Sequence, residues 1–154
     1  MPRRRLAFPK PKREAKSPKP VKRTKRPRKQ RKTTQAALKR KCDKLWSLII
    51  RHVGKCELAG TDKIRCGGVL QAMHNFGRGH ANVRHSLWNG TSGCAGHHVW
   101  YTHNPEAWTA VLITRWGAEG YQTNYELAKA SGKPDYGTTL ESLKAKAKEL
   151  GIGS

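Results

Sequence analysis

The chain has 154 residues, and its 32 Lys and Arg outnumber its 10 Asp and Glu, which leaves a formal net charge of +22. This length allows one ordinary domain. No apolar run approaches the roughly 20 residues of a membrane span, and no apolar segment follows the basic N-terminus as it does in a secretory signal. We therefore expect a protein that is neither secreted nor membrane-spanning. The positive surplus indicates an anionic partner, with nucleic acid first and an acidic membrane surface second.

Most of the positive charge lies near the N-terminus. Residues 1–41 hold 19 Lys and Arg against a single acid, whereas residues 42–154 carry a net charge of only +4. Six of the eight prolines also lie in the first stretch, which has few large apolar side chains. Such a segment cannot bury enough apolar area to offset its chain entropy. We therefore predict that residues 1–32 form a disordered basic arm.

The arm is predicted to contact nucleic acid through its charge. Each Lys or Arg near a phosphate releases a counterion, and this attraction requires neither a fold nor a particular base sequence. The alternative is a solubilising or targeting tail, because short basic runs also resemble nuclear localisation signals. The candidate contact residues are Arg23, Lys25, Arg26, Arg28, Lys29, Arg31 and Lys32.

The first predicted helix spans residues 33–53, with Thr33 or Thr34 as its N-cap and Gly54 just past its end. Its apolar residues recur every three or four positions and therefore share one face. Residues 55–68 follow as a predicted loop. The apolar face consists of Leu38, Cys42, Leu45, Ile49 and Val53.

A strand is predicted over residues 69–75, whose side chains alternate between two faces. Residues 76–93 are rich in Gly, Asn, His and Arg and are predicted to form a loop, with a short helix after Cys94. One face of the strand carries Leu70, Ala72 and His74, and the other carries Val69, Gln71 and Met73.

The segment 104–151 is predicted to be helical. Asn104-Pro105-Glu106 provides a cap residue, a proline at the first helical position and an acid in the first turn. Gly117 ends this helix, and another is predicted near residues 121–130. These elements predict that residues 33–154 form one domain of the α+β class, mainly helical with one small hairpin region. The last helix is bounded by the capping-box pair Thr138 and Glu141 and by Gly151.

All seven histidines and all four cysteines lie between residues 42 and 103. Cys94 and His97 have the spacing at which one turn supplies two ligands to a tetrahedral zinc ion. Cys56 and Cys66 are farther apart and complete the set only if the residues between them form a closed loop. We predict that these four residues form a structural zinc site.

Two alternatives remain for the cysteines. Their even number allows two disulfides, although nothing indicates secretion and a nucleic-acid-binding protein normally lies in a reducing compartment. The second alternative is that all four cysteines are free thiols. Cys42 lies on the apolar face of the first helix and is interpreted as a core residue rather than a ligand.

The order of three polar residues completes a recognisable pattern: His74 at the end of a strand, Asn89 in the following loop and His98 on a short helix. This pattern resembles the HNH nucleases, also called ββα-metal or His-Me finger nucleases, in their zinc-stabilised branch. The stretches 70–78, 83–84 and 94–98 more narrowly resemble the phage NinG/Rap recombination nucleases. The resemblance implies a zinc-stabilised ββα-metal unit over residues 55–103, flanked by helices 33–53 and 104–151.

The resemblance implies a metal-dependent DNA endonuclease. His74 would be the general base that activates water. His98 would hold a divalent magnesium or manganese ion, with His103 as a second ligand. Asn89 would pin the loop that orients the base or approach the metal ion through its side-chain oxygen.

The resemblance also implies a substrate. Arg78 and Arg84 would clamp the scissile or a neighbouring phosphate. The substrate would be DNA, branched or junction DNA in particular, during phage-type recombination or replication. The protein would then lie in the cytoplasm or nucleoid of a host cell, and symmetric cleavage of a junction would require a homodimer.

The sequence departs from the nuclease pattern at Met73. Many HNH enzymes carry an aspartate or histidine just before the base, and a thioether is a poor ligand for magnesium. The second hypothesis is therefore a non-catalytic, zinc-stabilised DNA-binding protein that has lost a metal ligand. Composition alone also suggests an RNA-binding protein, although the His74, Asn89 and His98 set argues against a pure binder.

Overall fold

The computed structural model describes residues 34–153, so the predicted arm of residues 1–32 and its seven candidate contact residues lie outside the described residues. The described part has four helices and a two-stranded antiparallel sheet, which confirms the α+β class. None of these helices combines the length and the apolar character needed to cross a membrane. The elements are α1 Gln35–Arg51, β1 Leu70–His74, a 3₁₀ helix Leu87–Asn89, β2 Gly90–Cys94, α2 Ala95–His103, α3 Pro105–Lys129 and α4 Tyr136–Glu149.

The start of α1 is confirmed by its cap. The Thr34 side chain accepts a hydrogen bond from a backbone N–H of the first turn at 3.3 Å. Cys42 and Ile49 of the predicted apolar face are buried. Val53 lies beyond the last helical residue and is 50 % exposed, so its assignment to that face is wrong. Gly54 follows with a φ of 73°, which a residue with a Cβ atom rarely adopts.

Strand β1 is confirmed, but β2 falls where a loop is predicted. The two strands pair in antiparallel register, with Leu70 opposite Cys94 and His74 opposite Gly90. The β2 sequence Gly-Thr-Ser-Gly-Cys has no alternation of apolar and polar residues, so it carries no strand signal. Its glycines instead allow close packing, because a Cβ atom on Gly93 would lie 2.2 Å from the sulfur of Met73.

The sheet separates two apolar clusters. Ala72 of β1 packs in a cluster with α1 and α4, whereas Met73 packs in a second cluster with Leu58 and Tyr101 of α2. Full burial of one such large side chain contributes about 1.5–3 kcal/mol to folding. The cluster between α1, α4 and β1 contains Cys42, Trp46, Ile49, Ile50, Ala72, Leu140, Leu143 and Ala147.

Helix α3 starts at Pro105 as predicted and is interrupted at Gly117. The φ of 74° and ψ of 164° at Gly117 are not helical, so the predicted end of the first segment and the predicted second segment are both confirmed. The second segment reaches a third apolar cluster, in which Phe76 packs against Trp116, Tyr121 and Tyr125. This cluster covers the loop that follows β1.

Helix α4 starts earlier than its sequence suggests. Asp135 is the N-cap, because its side chain accepts a hydrogen bond from the backbone N–H of Gly137 at 2.8 Å. The Thr138 hydroxyl donates to the same carboxylate at 2.7 Å. The predicted capping box of Thr138 and Glu141 is therefore wrong, since an aspartate three residues upstream caps the helix first.

Candidate functional site

The structure brings together the four predicted zinc ligands. One ligand atom from each of Cys56, Cys66, Cys94 and His97 lies within 4.8 Å of the others. Nδ1 of His97 is 3.0 Å from the Cys94 sulfur, 3.6 Å from the Cys56 sulfur and 3.7 Å from the Cys66 sulfur. Cys56 and Cys66 lie in the loop between α1 and β1, Cys94 ends β2, and His97 lies in the first turn of α2.

Backbone donors around the cluster favour the thiolate of Cys94. Burial acts to raise the pKa of the Cys94 thiol, but hydrogen bonds from the backbone N–H groups of His97 and Gly67 outweigh it and lower the pKa to about 6. Desolvation and the neighbouring Cys56 thiol raise the pKa of Cys66. Three sulfur atoms this close repel one another as thiolates, so the cluster requires a cation to be charged throughout.

Asp62 and Tyr101 lie behind the imidazole of His97. His97 is fully buried, and its Nε2 is 3.3 Å from Oδ1 of Asp62, although the two atoms are not aligned as a hydrogen bond. The Tyr101 hydroxyl donates to the other oxygen of Asp62. A carboxylate behind a metal-binding imidazole orients the ring and strengthens it as a ligand. No sequence signal indicated this residue.

These contacts fit a structural metal ion. Three sulfur atoms and one imidazole nitrogen are a usual tetrahedral zinc set, and Nδ1 of the buried His97 faces all three sulfurs. The cluster could therefore hold a metal ion such as zinc. All four cysteines lie in the described part and none forms a disulfide, which contradicts the disulfide hypothesis. Cys42 is a buried core residue, as predicted.

A second group of predicted residues meets at a small cavity between β1 and α2. The cavity has a volume of about 90 Å³, and both His74 and His98 line it. His74 ends β1 and His98 lies on α2, so the antiparallel hairpin and the helix after it bring the two imidazoles together. The other lining residues are Met73, Tyr101, Thr102 and Trp108.

His74 is held on two sides. Its ring stacks on the indole of Trp46, with centroids 4.1 Å apart and an angle of 18° between the planes. Its Nε2 lies 3.0 Å from the backbone carbonyl oxygen of Arg84. Burial lowers the pKa of His74 to about 4, so the ring is neutral at pH 7. A neutral, fixed imidazole can accept a proton.

Asn89 pins the loop after β1. It is fully buried, and its Oδ1 accepts a hydrogen bond from the backbone N–H of Phe76 at 2.7 Å. Its Nδ2 donates to the carbonyl oxygens of Phe76 at 3.2 Å and Val83 at 3.1 Å. These contacts favour the loop-pinning role of Asn89 over the approach of its oxygen to a metal ion.

His98 and His103 occupy different sides of α2. Nδ1 of His98 forms a hydrogen bond with Oε1 of Gln71, and because that oxygen only accepts, Nδ1 carries the proton and Nε2 has the free lone pair. His103 is exposed and does not line the cavity. Five residues of helix separate the two by about 140° around the axis. The structure does not bring His103 to His98.

Arg84 is engaged elsewhere and is not available as a phosphate clamp. Only 8 % exposed, it donates from Nε and Nη2 to the two oxygens of Asp43 at 2.8 and 3.1 Å, and from Nη1 to the carbonyl oxygen of Arg78 at 2.9 Å. Burial acts to raise the pKa of Asp43, but hydrogen bonds from Arg84 and His85 hold it at about 2. Arg84 is therefore a structural residue.

Arg78 remains a candidate for phosphate contact. Its side chain is exposed. After burial, its positive charge is the next factor that lowers the pKa of both His74 and His98, which places that charge near the two imidazoles.

The role of Asp43 was not predicted from the sequence. A signal was present, because Asp43 is the one acidic residue of α1 among several basic ones, and such a residue often forms an ion pair.

Comparisons with models of protein families, with curated proteins and with solved structures found no match for the chain. The function is therefore inferred from the residues of the chain and from their geometry.

Proposed function

We propose that the chain is a metal-dependent DNA endonuclease of the HNH type that hydrolyses phosphodiester bonds. The observation that supports this most is the shared cavity: His74 and His98, both with a lowered pKa, line it, and a fully buried Asn89 fixes the loop between β1 and β2. A pure binding module has no need of two converging neutral imidazoles beside an exposed arginine.

His74 supplies the base in this proposal. Its neutral imidazole removes a proton from the water molecule that attacks phosphorus, and the proton moves to a ring nitrogen while the bond between phosphorus and the leaving oxygen breaks. The approach of a negatively charged phosphate raises the pKa of His74 and so strengthens it as a base at the moment of reaction. Arg78 binds a phosphate oxygen from the open side of the cavity, in keeping with its exposure.

His98 would hold the catalytic divalent ion through Nε2, and Gln71 would orient its ring. The cavity is lined by no acid among the described residues and offers an imidazole and the hydroxyl of Thr102. This donor set fits manganese better than magnesium, which prefers oxygen ligands. The ion, when bound, would neutralise the charge that develops on the phosphate and on the leaving oxygen.

The Cys3His cluster is proposed as a structural zinc site. Cys94 joins β2 to α2, and His97 directly precedes His98. A zinc ion bound there fixes the start of the helix that presents His98 to the cavity. It also supplies stability to a small unit with a limited core.

DNA is the proposed substrate, with branched DNA first because of the resemblance to the NinG/Rap nucleases. The basic segment 1–32 would hold the protein on the phosphate backbone. Removal of this segment is expected to weaken DNA binding broadly and to flatten its salt dependence. Binding that keeps its salt dependence would show that the phosphate contacts lie elsewhere.

One observation favours a second candidate function, a zinc-stabilised DNA-binding protein without activity. Met73 occupies the position before the base, is 3 % exposed and packs against Leu58 and Tyr101. An apolar core residue there cannot serve as a hard metal ligand.

One assay separates the two functions. Purified full-length protein is incubated with linear duplex, single-stranded and four-way-junction DNA, with magnesium, with manganese or with a chelator. We expect metal-dependent cleavage of the junction that falls at least about 100-fold in His74→Ala and persists in His52→Ala, which replaces an exposed histidine. DNA binding without cleavage under every condition would establish the binding protein instead.

A further inference from the structure

We propose that Asp43 is a positioning residue that fixes the orientation and the tautomer of His74 through Arg84. This inference rests on the proposed nuclease function only for its effect on rate. The contacts that carry it run from α1 to the loop after β1, and then from the backbone of that loop to the imidazole.

The tautomer of His74 follows from its partner. Nε2 lies 3.0 Å from the carbonyl oxygen of Arg84. A carbonyl oxygen only accepts hydrogen bonds, so Nε2 must carry the proton and Nδ1 has the lone pair. The nitrogen that accepts a proton from water is therefore Nδ1, and the position of one backbone carbonyl decides this.

That carbonyl is fixed by the side chain of its own residue. The guanidinium of Arg84 makes a bidentate pair with Asp43 and donates a third hydrogen bond to the carbonyl oxygen of Arg78. Bidentate pairs of this kind restrict both distance and angle. The Arg84 side chain is 10 % exposed and that of Asp43 is 35 % exposed, so the guanidinium is the shielded member of the pair.

Helix α1 acts on His74 from two sides. Trp46 lies three residues after Asp43, on the same side of the helix, and it stacks on the His74 ring. The Trp46 indole N–H also donates to the carbonyl oxygen of Ser86 at 3.1 Å. The loop that contains Arg84 and Ser86 is thus tied to α1 at two points, with the imidazole between α1 and the loop.

Loss of the Asp43 carboxylate should therefore reach His74 without any contact between the two residues. Arg84 would lose its bidentate pair and keep only the hydrogen bond to Arg78, so its own carbonyl would gain freedom to move and the donor at Nε2 of His74 would lose its fixed acceptor. We expect a lower rate of the chemical step with unchanged DNA affinity, because neither Asp43 nor Arg84 contacts the cavity between β1 and α2.

The test uses the full chain with Asp43→Asn, Asp43→Glu and, as a matched control, His85→Gln. His85 binds the same carboxylate at 2.8 Å but forms no hydrogen bond with His74, whose Nε2 is bonded to the carbonyl oxygen of Arg84. The ring nitrogens of His74 are observed by ¹⁵N NMR at pH 7, and kcat and KM are measured on the cleaved DNA. The parent should show a protonated Nε2 and an unprotonated Nδ1.

Asp43→Asn should give a mixture of tautomers and lower kcat by about 10- to 100-fold with KM unchanged. Asp43→Glu should partly restore the single tautomer and kcat, and His85→Gln should leave the tautomer and kcat close to those of the parent. A parent with the proton on Nδ1, or a folded Asp43→Asn with unchanged His74 signals and kcat, overturns the proposal. An equal effect of His85→Gln overturns it as well, since it would show a general structural role.

Absence of cleavage and failure of the variant to fold have different meanings for the proposal. If the parent cleaves no DNA but shows the expected tautomer and loses it in Asp43→Asn, the nuclease function fails and the positioning role stands. If Asp43→Asn does not fold, Arg84→Lys replaces it, because lysine keeps the charge but cannot form the bidentate pair. The same NMR result is then expected for Arg84→Lys, and an unaltered His74 tautomer in that variant overturns the proposal.

Discussion

Gly90 of β2 lies directly against Ile50 of α1, with no space for a side chain between them. A Cβ atom on Gly90 would be 2.3 Å from Cδ1 of Ile50 and 2.9 Å from the ring of Trp46. Gly90 is also the partner of His74 in the hairpin register. The hairpin therefore contacts α1 at the pair formed by Gly90 and His74, and His74 is the proposed base.

The first prediction concerns this contact. Gly90→Ala should reduce the free energy of unfolding by about 1–3 kcal/mol, because a tightly packed core must move to accept a methyl group. Gly77→Ala is the matched control, since, apart from its chain neighbours, no atom of residues 34–153 lies within 4 Å of a Cβ atom there. Denaturant titration measures both variants. Equal midpoints for the two would show that α1 and the hairpin have room to separate.

The second prediction concerns the Cys3His cluster. Elemental analysis of the purified protein should find about one zinc per chain. Cys94→Ser should lose the metal and much of the stability, because metal-binding free energy is folding free energy in small sites. Cys42→Ala should keep the metal, since Cys42 lies in the core away from the cluster. Retention of zinc by Cys94→Ser would exclude Cys94 as a ligand.

The third prediction concerns Asp62. Asp62→Asn should weaken zinc affinity by about 10- to 100-fold without removing a ligand, because the carboxylate behind His97 would be lost. Competition with a chromophoric chelator measures this affinity. Asp135→Asn is the control, because asparagine also caps a helix well and α4 packs in a different apolar cluster from Cys56. Equal affinities in the two variants would assign Asp62 to the hydrogen bond with Tyr101 alone.

The fourth prediction separates two histidines of one helix. His98→Ala should abolish metal-dependent cleavage, whereas His103→Ala should leave it within about twofold, because about 140° of helix rotation separates the two positions. Cleavage rates at several manganese concentrations measure the difference. A raised manganese requirement in His103→Ala would restore His103 as a metal ligand.

The fifth prediction concerns pH. The pKa of His74 is lowered from 6.5 to about 4 in the folded state, chiefly by burial. A lowered pKa stabilises the folded protein above pH 6.5, and this contribution is lost as the pH falls from 6.5 to 4. For a half-buried ring screened by solvent, the loss amounts to about 1–2 kcal/mol.

The unfolding free energy should therefore fall less between pH 7 and pH 4 in His74→Phe than in the parent. Both proteins keep the Cys3His cluster, so acid release of a metal ion contributes equally to the two profiles. Parallel profiles would mean that His74 titrates normally in the folded state. The contribution of Asp43, with a pKa of about 2, appears only below pH 3.8 and does not interfere.

The Cys3His cluster is the most predictable part of the site. Cys94 and His97 are close in sequence, and one turn decides their distance, so spacing was sufficient to pair them. Cys56 and Cys66 required only that the loop between them closes. The pattern of His74 and His98 was also predictable from local sequence, since His74 ends a strand and His98 lies on a short helix.

Contacts between distant segments were not predictable. Asp43 and Arg84 are 41 residues apart, and no local pattern showed that a candidate phosphate clamp is occupied by a carboxylate of α1. Strand β2 was not predicted, because Gly90 and Gly93 are required by the side chains that pack against them and give no strand pattern. These features depend on tertiary packing, which overrides local propensity.

The side chains and backbone that cover the loop after His74 come from residues 121–128, late in the chain. Phe76 packs against Tyr121 and Tyr125, and Nδ1 of His80 lies 2.9 Å from the carbonyl oxygen of Ala128. During translation, every candidate ligand and His74 itself leave the ribosome before these residues do. The nascent chain therefore passes through a stage that contains every residue of the proposed site but lacks the residues that cover its loop, and the proposed activity should appear only once Ala128 has emerged.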